Sequence, residues 1–440
     1  MAITHNGLRT FVLGLDGTPY SLLKDASFRT YIPNLSRLLD QNGKRMNSVY
    51  PTVSSVAWTS YMTGLDPSGH NIFGFVDRNP NPFSIKIPTA IDRRAVTLWK
   101  ELSLKGKRVI VINVPLTYPP EEVNGILVSD FLCTDINKVS YPLEFNNYLK
   151  DKDYVIDVDA SLAKEDKRRF MDELHRAMEK RFEITFELIA KEEWDFFQLH
   201  IMETDRLFHF FWDDLDNKGE YYHDIINFFK KLDDYIGKLE NLLSEKDRFL
   251  ILSDHGFCGI KYEVQLNVWL QQQGLLKFTN GEKKLPNYHK DTICYSLIPG
   301  RIFINLEGRE EKGSVKKSDY QSIREDIKQR LLDFIHPDSG EKVIDKVFFR
   351  EEIYSGPYLD SAADIITHPK RGYDLKARTE NKDVFERTHL NGMHTYDDAF
   401  ICAKNCDVSA VVSIRDVKSV ILDSSSEDRC QRTEVRHEQE

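Results

Sequence analysis

Short apolar runs alternate with amphipathic segments through the first 260 residues of the chain. Runs that are apolar almost throughout are typical of strands buried on both faces of a sheet, whereas apolar residues every three or four positions are typical of covering helices. The apolar runs lie at residues 10–15, 108–114, 126–132, 195–201 and 249–252, and the amphipathic segments at 33–41, 95–104, 164–193 and 221–243. This alternation predicts an α/β fold with a mostly parallel central sheet and helices on both of its faces.

The pattern changes after residue 260. Residues 261–387 are richer in charged and turn residues, with one clear helical pattern near 318–334, and they predict an inserted cap, or substrate domain. Strand-like runs return at 399–403 and 410–414. We therefore predict a catalytic α/β core formed by residues 1–260 and 388–422, and a disordered tail at 423–440, where the sequence is polar.

Composition and charge exclude some classes of protein. With 440 residues, of which 41% are apolar, the chain can bury a large core. Its formal net charge of −10 argues against a generic nucleic-acid-binding surface, which needs a basic stripe, so we expect no stable nucleic-acid partner. The chain has no long uncharged apolar stretch, and its six cysteines are scattered. These features predict a cytoplasmic protein without a membrane partner, and no pattern indicates its oligomeric state.

Metal-type residues follow two of the predicted strands. Asp16 comes directly after the run at 10–15, and Asp254 and His255 follow the run at 249–252. Open α/β sheets place their ligands at the carboxyl ends of strands, so these side chains are candidate metal ligands. The alternative for Asp16, which precedes Gly17, is an ordinary turn.

Two further candidates are Asp205 and His209, which lie four residues apart just past the run at 195–201. A helix that begins at Asp205 would place both side chains on one face. The alternative is an aspartate that caps the helix and a partly buried histidine. A third ligand is needed for a catalytic zinc site, and His394, between the cap and the returning strands, is the candidate; alone it would be an ordinary loop histidine.

The candidate nucleophile is Ser54 or Ser55, at the start of a predicted helix that ends near Gly64. Free backbone N–H groups and the helix dipole favour an anion at such a position. Helix capping alone also explains a serine there. A free serine hydroxyl is a poor nucleophile near neutral pH, and metal coordination is one way to activate it.

Five motifs in this order resemble the alkaline phosphatase superfamily, notably its nucleotide pyrophosphatase/phosphodiesterase branch. They are a strand followed by Asp, a Ser before a helix, Asp-x3-His, Asp-His-Gly and a late His. From residue 9 to about 422 the chain also resembles a microbial group of predicted phosphohydrolases or phosphomutases, on the motifs at 12–17, 57–60, 64–70 and 300–309. The resemblance selects Ser54 over Ser55 as nucleophile. It implies that Asp16, Ser54, Asp254 and His255 hold one ion and that Asp205, His209 and His394 hold the other.

The resemblance implies a two-metal phosphoesterase that acts through a covalent seryl intermediate on a small-molecule phosphate ester or a nucleotide. A phosphodiesterase or nucleotide pyrophosphatase is favoured, and a phosphomonoesterase or phosphomutase is the alternative. A metal-containing binding protein is the alternative outside the enzymes. The nitrogen and oxygen ligands suit two divalent ions, Zn²⁺ first and Mn²⁺ next. The candidates for contacts to phosphate oxygens are Ser55, Thr59, Arg301 and Arg309, although each arginine would also suit a structural or solvated charge.

Overall fold

The computed structural model describes residues 8–279 and 283–423; the predicted tail lies outside them from residue 424 onward. The strands are β1 Thr10–Leu15, β2 Gly43–Met46, β3 Asp77–Pro80, β4 Phe83–Lys86, β5 Val109–Ile112, β6 Gly125–Val128, β7 Ser140–Tyr141, β8 Phe196–Ile201, β9 Arg248–Leu252, β10 Gly256–Gly259, β11 Tyr262–Gln265, β12 Cys294–Leu297, β13 Arg301–Ile304, β14 Ile344–Phe349, β15 Ile365–Pro369, β16 Tyr373–Lys376, β17 Phe385–Glu386, β18 Gly392–Thr395 and β19 Ala399–Lys404. The α-helices are α1 Tyr20–Leu23, α2 Pro33–Asn42, α3 Ser54–Thr63, α4 Pro67–His70, α5 Leu98–Leu104, α6 Phe145–Asp151, α7 Leu162–Glu165, α8 Lys167–Lys191, α9 Glu203–Asn217, α10 Tyr222–Leu242, α11 Leu266–Gln272, α12 Tyr320–Leu332, α13 Arg350–Ile353 and α14 Val417–Asp423.

An eight-stranded sheet forms the centre of the molecule, in the order β2-β19-β9-β1-β8-β5-β6-β7. The five strands from β9 to β6 run parallel to one another, and β2, β19 and β7 add antiparallel edges. The predicted α/β fold with a mostly parallel sheet is therefore confirmed. The run at 399–403 rejoins the sheet as β19, but the strand predicted at 410–414 is wrong: Ser413 forms one isolated bridge with Asn47, and a 3-10 turn begins at Ile414.

Both faces of the sheet are covered by helices because side chains along each strand alternate between two hydrophobic cores. In β1, Phe11 and Leu13 face the core formed with α2, α8, α9 and α10, while Val12 faces the core formed with α3, α5 and α14. No helix within 8–279 and 283–423 is long and apolar enough to cross a bilayer.

Residues between β10 and β18 build a third hydrophobic core, whose buried members run from Val264 to Val384. It holds a four-stranded antiparallel sheet, β12-β13-β15-β14, a three-stranded sheet, β16-β11-β17, and the helices α11 and α12. We call residues 261–387 the cap and the remaining described residues the core; these boundaries, and the role of the cap as a separate substrate domain, stay a prediction.

Candidate active site

Three neighbouring strands bring the candidate ligands to one edge of the sheet. β1 ends one residue before Asp16, β9 ends two residues before Asp254, and β8 leads into α9, which carries Asp205 in its first turn. Because β9, β1 and β8 are adjacent and parallel, their carboxyl ends meet. His394 arrives from β18, which pairs with β10 directly after His255.

The first cluster surrounds the hydroxyl of Ser54. Its Oγ lies 3.2 Å from Asp16 Oδ1 and 3.2 Å from His255 Nε2. His255 Nε2 in turn lies 3.3 Å from Asp254 Oδ2. One ligand atom from each of Asp16, Asp254 and His255 falls within 4.8 Å of the others, and all three side chains are buried.

The second cluster consists of Asp205, His209 and His394. His394 Nε2 lies 3.1 Å from both Asp205 Oδ1 and His209 Nε2, and His209 Nε2 lies 3.5 Å from Asp205 Oδ1. The ring of His255 stacks on that of His394 with centroids 3.7 Å apart, and its ligand atom lies within 4.8 Å of those of Asp205 and His394. His255 therefore adjoins both clusters.

The orientation of the three histidines suits metal coordination. Their Nδ1 atoms face backbone carbonyl oxygens: that of Gly392 for His209 at 3.0 Å, that of Thr52 for His394 at 3.2 Å, and that of Gly256 for His255 at 3.1 Å. A histidine that donates from Nδ1 directs the Nε2 lone pair at its other side, as metal-bound histidines do.

Two observations indicate that the clusters fit divalent cations. With only Nδ1 protonated on each ring, the Nε2 lone pairs of His209 and His394 face each other at 3.1 Å, and either a metal ion or a proton on His394 Nε2 removes their repulsion. The fully buried Asp254 Oδ2 has no hydrogen-bond donor among the described residues. A buried carboxylate oxygen without a donor is costly, and a cation would satisfy it.

The pKa shifts favour neutral rings for two of the three histidines; for His394, burial lowers the pKa, but the hydrogen bond to Asp205 and its charge raise it above the ordinary value. Burial lowers the pKa of His255 to about 3 and that of His209 to about 4, so both rings are neutral at pH 7 and able to coordinate. Burial raises the pKa of Asp254 well above its ordinary value, and the nearby charge of Asp16 adds to that effect. Burial alone would also raise the pKa of Asp16, but the hydrogen bond from His200 holds it below its ordinary value.

Two residues that were not among the sequence candidates hold Asp16. Its Oδ2 accepts hydrogen bonds from His200 Nε2 at 2.9 Å and from Trp58 Nε1 at 3.1 Å. Gly14 makes this approach possible, because a Cβ there would lie 2.6 Å from the Trp58 ring and 3.1 Å from that of His200. A polar residue inside an apolar strand, as His200 is in β8, was the signal in the sequence.

Helix α3 begins at Ser54, after Val53 in extended conformation, and is buried along its whole length. The backbone N–H groups of Val56 and Ala57 donate to the Val53 carbonyl at 3.0 Å, whereas those of Ser54 and Ser55 lie ahead of the first helical bonds and are available to an anion. The side chains of Ser55 and Thr59 are fully buried; Thr59 Oγ1 donates to the Ser55 carbonyl at 2.5 Å. Neither side chain lines the cavity described next.

A cavity of about 310 Å³ opens beside Ser54 between core and cap. Its core wall includes Asp16, Asp205 and His394, and its cap wall includes Ile298 and Lys376. Its volume lies at the lower end of the range for small-molecule sites. The candidate nucleophile and both clusters therefore face a space that admits a small ligand.

The two candidate arginines are placed away from this cavity. Arg309 donates to both carboxylate oxygens of Asp364, at 2.8 and 2.6 Å. Arg301 is 1% exposed and donates to the carbonyl oxygens of Ile298, at 3.0 Å, and Val76. Neither lines the cavity, so the structure does not bring a guanidinium of either residue to Ser54.

The sequence profile of the type I phosphodiesterase/nucleotide pyrophosphatase family matches residues 10–397, which include every candidate ligand. The chain belongs to this family. Its resemblance to the alkaline phosphatase superfamily is thereby confirmed, and the family, whose members typically depend on divalent metal ions, supports a phosphoric ester hydrolase. No curated protein matches the chain.

Solved structures share the fold of this family member at low sequence identity. Phosphonoacetate hydrolase from Sinorhizobium meliloti, in complex with phosphonoformate, is 16% identical with a TM-score of 0.63, covering 95% of this chain and 97% of that one. An inactive variant of murine ectonucleotide pyrophosphatase/phosphodiesterase 5 in complex with AMP is 14% identical with a TM-score of 0.54, covering 94% of each chain. The human ectonucleotide pyrophosphatase/phosphodiesterase 5 is 14% identical with a TM-score of 0.55, covering 94% of this chain and 93% of that one. These likenesses show the fold alone.

Proposed function

We propose that this chain is a two-metal phosphodiesterase of the nucleotide pyrophosphatase type, with Ser54 as its nucleophile. The observation that carries the proposal is the position of Ser54 Oγ, which lies at the start of α3 and 3.2 Å from both Asp16 and His255. A hydroxyl that is aimed into a cluster of metal-type ligands beside a cavity suits covalent phosphoryl chemistry.

The ligands of the proposed ions follow the two clusters. Asp16, Ser54, Asp254 and His255 would hold one ion, and Asp205, His209 and His394 the other. Zn²⁺ suits the nitrogen and oxygen donors best and Mn²⁺ next. Such ions supply Lewis-acid stabilisation of charge on the serine, phosphate and leaving-group oxygens.

The chain itself provides the nucleophile, its orientation and an anion site. Ser54 loses its hydroxyl proton to solvent as its Oγ forms a bond to phosphorus; the bond from phosphorus to the departing alcohol oxygen breaks, and that oxygen takes a proton from solvent. Water then forms a bond to phosphorus, the bond from phosphorus to Ser54 Oγ breaks, and one proton of the water returns to Oγ. The N–H groups of Ser54 and Ser55 at the start of α3 donate to the phosphate oxygens, so of the four candidates for phosphate contacts only Ser55 enters the proposal, through its amide.

The test compares Ser54→Ala with Ser55→Ala, a neighbouring serine whose Oγ is buried and has no partner among the described residues. With added Zn²⁺ or Mn²⁺ and bis(4-nitrophenyl) phosphate, we expect Ser54→Ala to lose at least about a hundredfold in kcat and Ser55→Ala to stay within about threefold. Mass spectrometry of rapidly quenched protein should find the adduct on Ser54. Wild-type turnover by Ser54→Ala would refute the proposed nucleophile.

The preference for diesters needs its own measurement. We expect bis(4-nitrophenyl) phosphate to be cleaved with a kcat/KM more than about tenfold above that of 4-nitrophenyl phosphate, a difference of about 1.4 kcal/mol in transition-state stabilisation. The reverse preference would assign the site to a phosphomonoesterase or phosphomutase, and binding of metal without turnover of any ester would favour a binding protein.

We also propose a cytoplasmic location. Cys133, Cys258, Cys294 and Cys402 form no disulfide in the part of the chain that the structure describes, as is usual in a reducing compartment.

A further inference from the structure

One side of the cavity is an apolar wall, which we define as Phe75 and Phe131 of the core with Ile298 and Pro299 of the cap. The rings of Phe75 and Phe131 pack edge to face with centroids 5.4 Å apart, and both side chains are only half-buried. Ile298 is 36% exposed. Apolar surface that lines a cavity gains free energy when a ligand removes it from water.

Arg301 joins the two halves of this wall. Its Nε donates to the carbonyl oxygen of Ile298 at 3.0 Å, and its Nη2 donates to the carbonyl oxygen of Val76, next to Phe75 and 225 residues away from Arg301 in sequence. A guanidinium can hold two carbonyl groups at once because its donors are fixed in one plane. The apolar wall is therefore assembled from distant segments by one side chain.

The environment of Arg301 is built for this contact. The side chain is 1% exposed, and its nearest paired carboxylate oxygen, Asp77 Oδ1, lies 3.6 Å from Nη1. Gly74 leaves the necessary room, since a Cβ there would lie 2.8 Å from Arg301 Nη2. Burying a cation costs free energy when no carboxylate lies close to it. The hydrogen bonds to the two wall segments are therefore the main interactions that offset this cost for Arg301.

The turn that presents Ile298 is fixed from the other side as well. The backbone N–H and the Oγ1 of Thr367 both donate to the Gly300 carbonyl at 2.9 Å. Gly300 has a φ of +61°, and a Cβ there would lie 2.2 Å from Thr367 Oγ1. The wall is thus preorganised, which reduces the entropic cost of binding a ligand against it.

The two cations near the apolar wall each have a carboxylate partner, although Arg206 Nε has no hydrogen-bond acceptor among the described residues. Arg206 Nη2 donates to Asp157 at 2.8 Å, and Lys376 Nζ lies 2.6 Å from Asp374 Oδ2. The four side chains of the wall carry no hydrogen-bonding group, so a sugar hydroxyl or a second phosphate placed against them would lose its hydrogen bonds to water. An apolar group has no such hydrogen bonds to water to lose.

We propose that the apolar wall binds the uncharged, apolar organic group of a compact phosphate ester, an aryl ester in the simplest case, and that Arg301 is a positioning residue for this specificity. The inference rests on the proposed function, because it names the organic part of the substrate of the same site. Arg301 acts without touching the substrate: through the carbonyl groups of Ile298 and Val76 it fixes the two segments that carry Ile298 and Phe75.

The experiment compares phenyl 4-nitrophenyl phosphate with methyl 4-nitrophenyl phosphate, which share a leaving group and differ only in the apolar group. For the unsubstituted protein with Zn²⁺ or Mn²⁺ we expect kcat/KM to be at least about tenfold higher for the phenyl ester, as the larger apolar surface predicts.

Arg301→Lys keeps the charge but cannot hold both carbonyl groups, so the phenyl-to-methyl ratio should fall at least about threefold, mainly through KM. Arg309→Lys is the matched control, a cap arginine bound to Asp364 and away from the cavity, and it should leave the ratio unchanged. Ile298→Ala changes a partly exposed side chain of the wall without touching the buried cation, and it should lower the ratio even if Arg301→Lys does not fold.

Calorimetric titration of the metal-loaded protein with phenylphosphonate and methylphosphonate measures the same preference without turnover. Tighter binding of phenylphosphonate, lost in Ile298→Ala, supports the inference even if no ester is cleaved, an outcome that would refute only the proposed function. A ratio near one in the unsubstituted protein, or a ratio unchanged in both Arg301→Lys and Ile298→Ala, would overturn the inference.

Discussion

Asp16 is held by side chains from two different elements, β8 and α3. Its Oδ2 accepts from His200 of β8 and Trp58 of α3, whereas its Oδ1 faces Ser54 of the same helix at 3.2 Å. With two donors on Oδ2, the free lone pairs of the carboxylate lie on the side of Ser54. Donors that orient a ligand in this way commonly strengthen metal binding, because the ligand is already in place when the ion arrives.

The first prediction isolates the donor of Trp58. Trp58→Phe removes the hydrogen bond to Asp16, and Tyr61→Phe, on the same helix, removes a bond of 2.6 Å to Gln198 that does not reach the site. Each loses about 1 kcal/mol of stability from a buried hydrogen bond, with a further loss for the smaller ring of Trp58→Phe. We expect only Trp58→Phe to raise the Kd for Zn²⁺, by about tenfold or more, as measured by competition with a chelator. Equal zinc affinity in both variants would contradict it.

At this scale the sequence predicted which side chains are drawn together, but not which ones support them. Asp16, Asp205 and His255 could be found because a carboxylate or imidazole stands at the end of an apolar run. His200 was missed because its function depends on the register that places it beside Gly14 in the neighbouring strand. Arg301 was expected near phosphate because a sequence shows charge but not the partners that occupy it.

The residue that follows helix α3, Gly64, is required for its backbone conformation and not for a side-chain contact. Gly64 adopts a φ of +72°, its N–H donates to the Ser60 carbonyl, and a Cβ there would meet the side chain of Lys418 only at 3.4 Å, a tolerable distance. The left-handed conformation is easily reached by glycine and disfavoured for other residues. Ser54 lies at the opposite end of the helix.

The second prediction follows from that separation. Gly64→Ala should lower the free energy of unfolding by about 1 kcal/mol, measured by denaturant titration, while kcat/KM stays within about twofold. Gly106→Ala is the control, since Gly106 has a φ of +76° and a Cβ there would meet nothing within 4 Å, so its cost should be the same. A loss of activity beyond the loss of stability in Gly64→Ala would show that the far end of α3 affects Ser54.

Helices and strands with a strong hydrophobic pattern could be predicted from the sequence, whereas strands at the edge of the sheet could not. The buried run at 10–15 and the long amphipathic segment at 164–193 correspond to β1 and α8. Strand β2, Gly-Lys-Arg-Met, carries no apolar pattern because it is an edge strand paired on one side with β19. The run at 410–414 looks like a strand, but Asp416 accepts from the backbone of Ser413 and turns the chain instead.

The arrangement of the whole molecule depends on where the cap touches the core. Gly356 of the cap lies against α4, with its N–H donating to Ser68 Oγ at 2.6 Å, and the N–H of Tyr358 donates to the Ser68 carbonyl at 2.8 Å. Nearby, the hydroxyl of Tyr354 donates to the carbonyl oxygen of Tyr50, a residue that lines the cavity. This contact therefore connects the position of the cap with the shape of the cavity.

The third prediction tests that connection with Gly356→Ala. A Cβ at this position would lie 2.4 Å from the Gly69 nitrogen and 2.5 Å from the Ser68 carbonyl oxygen, both backbone atoms that cannot move away as a side chain can. We expect the loop that carries Gly356 to separate from α4, which lowers the free energy of unfolding by about 1–3 kcal/mol. Because the cap side of the cavity then moves away from the nucleophile, KM for a phosphate ester should rise at least about fivefold.

Gly340→Ala is the control for this prediction, because Gly340 also belongs to the cap and a Cβ there meets nothing within 4 Å. Its positive φ of +68° gives it a stability cost of about 1 kcal/mol, but it should leave KM unchanged. The two variants thus separate general weakening of the cap from displacement at its contact with the core. If Gly356→Ala loses stability and keeps its KM, the cavity is shaped by the strands of the cap and not by this contact.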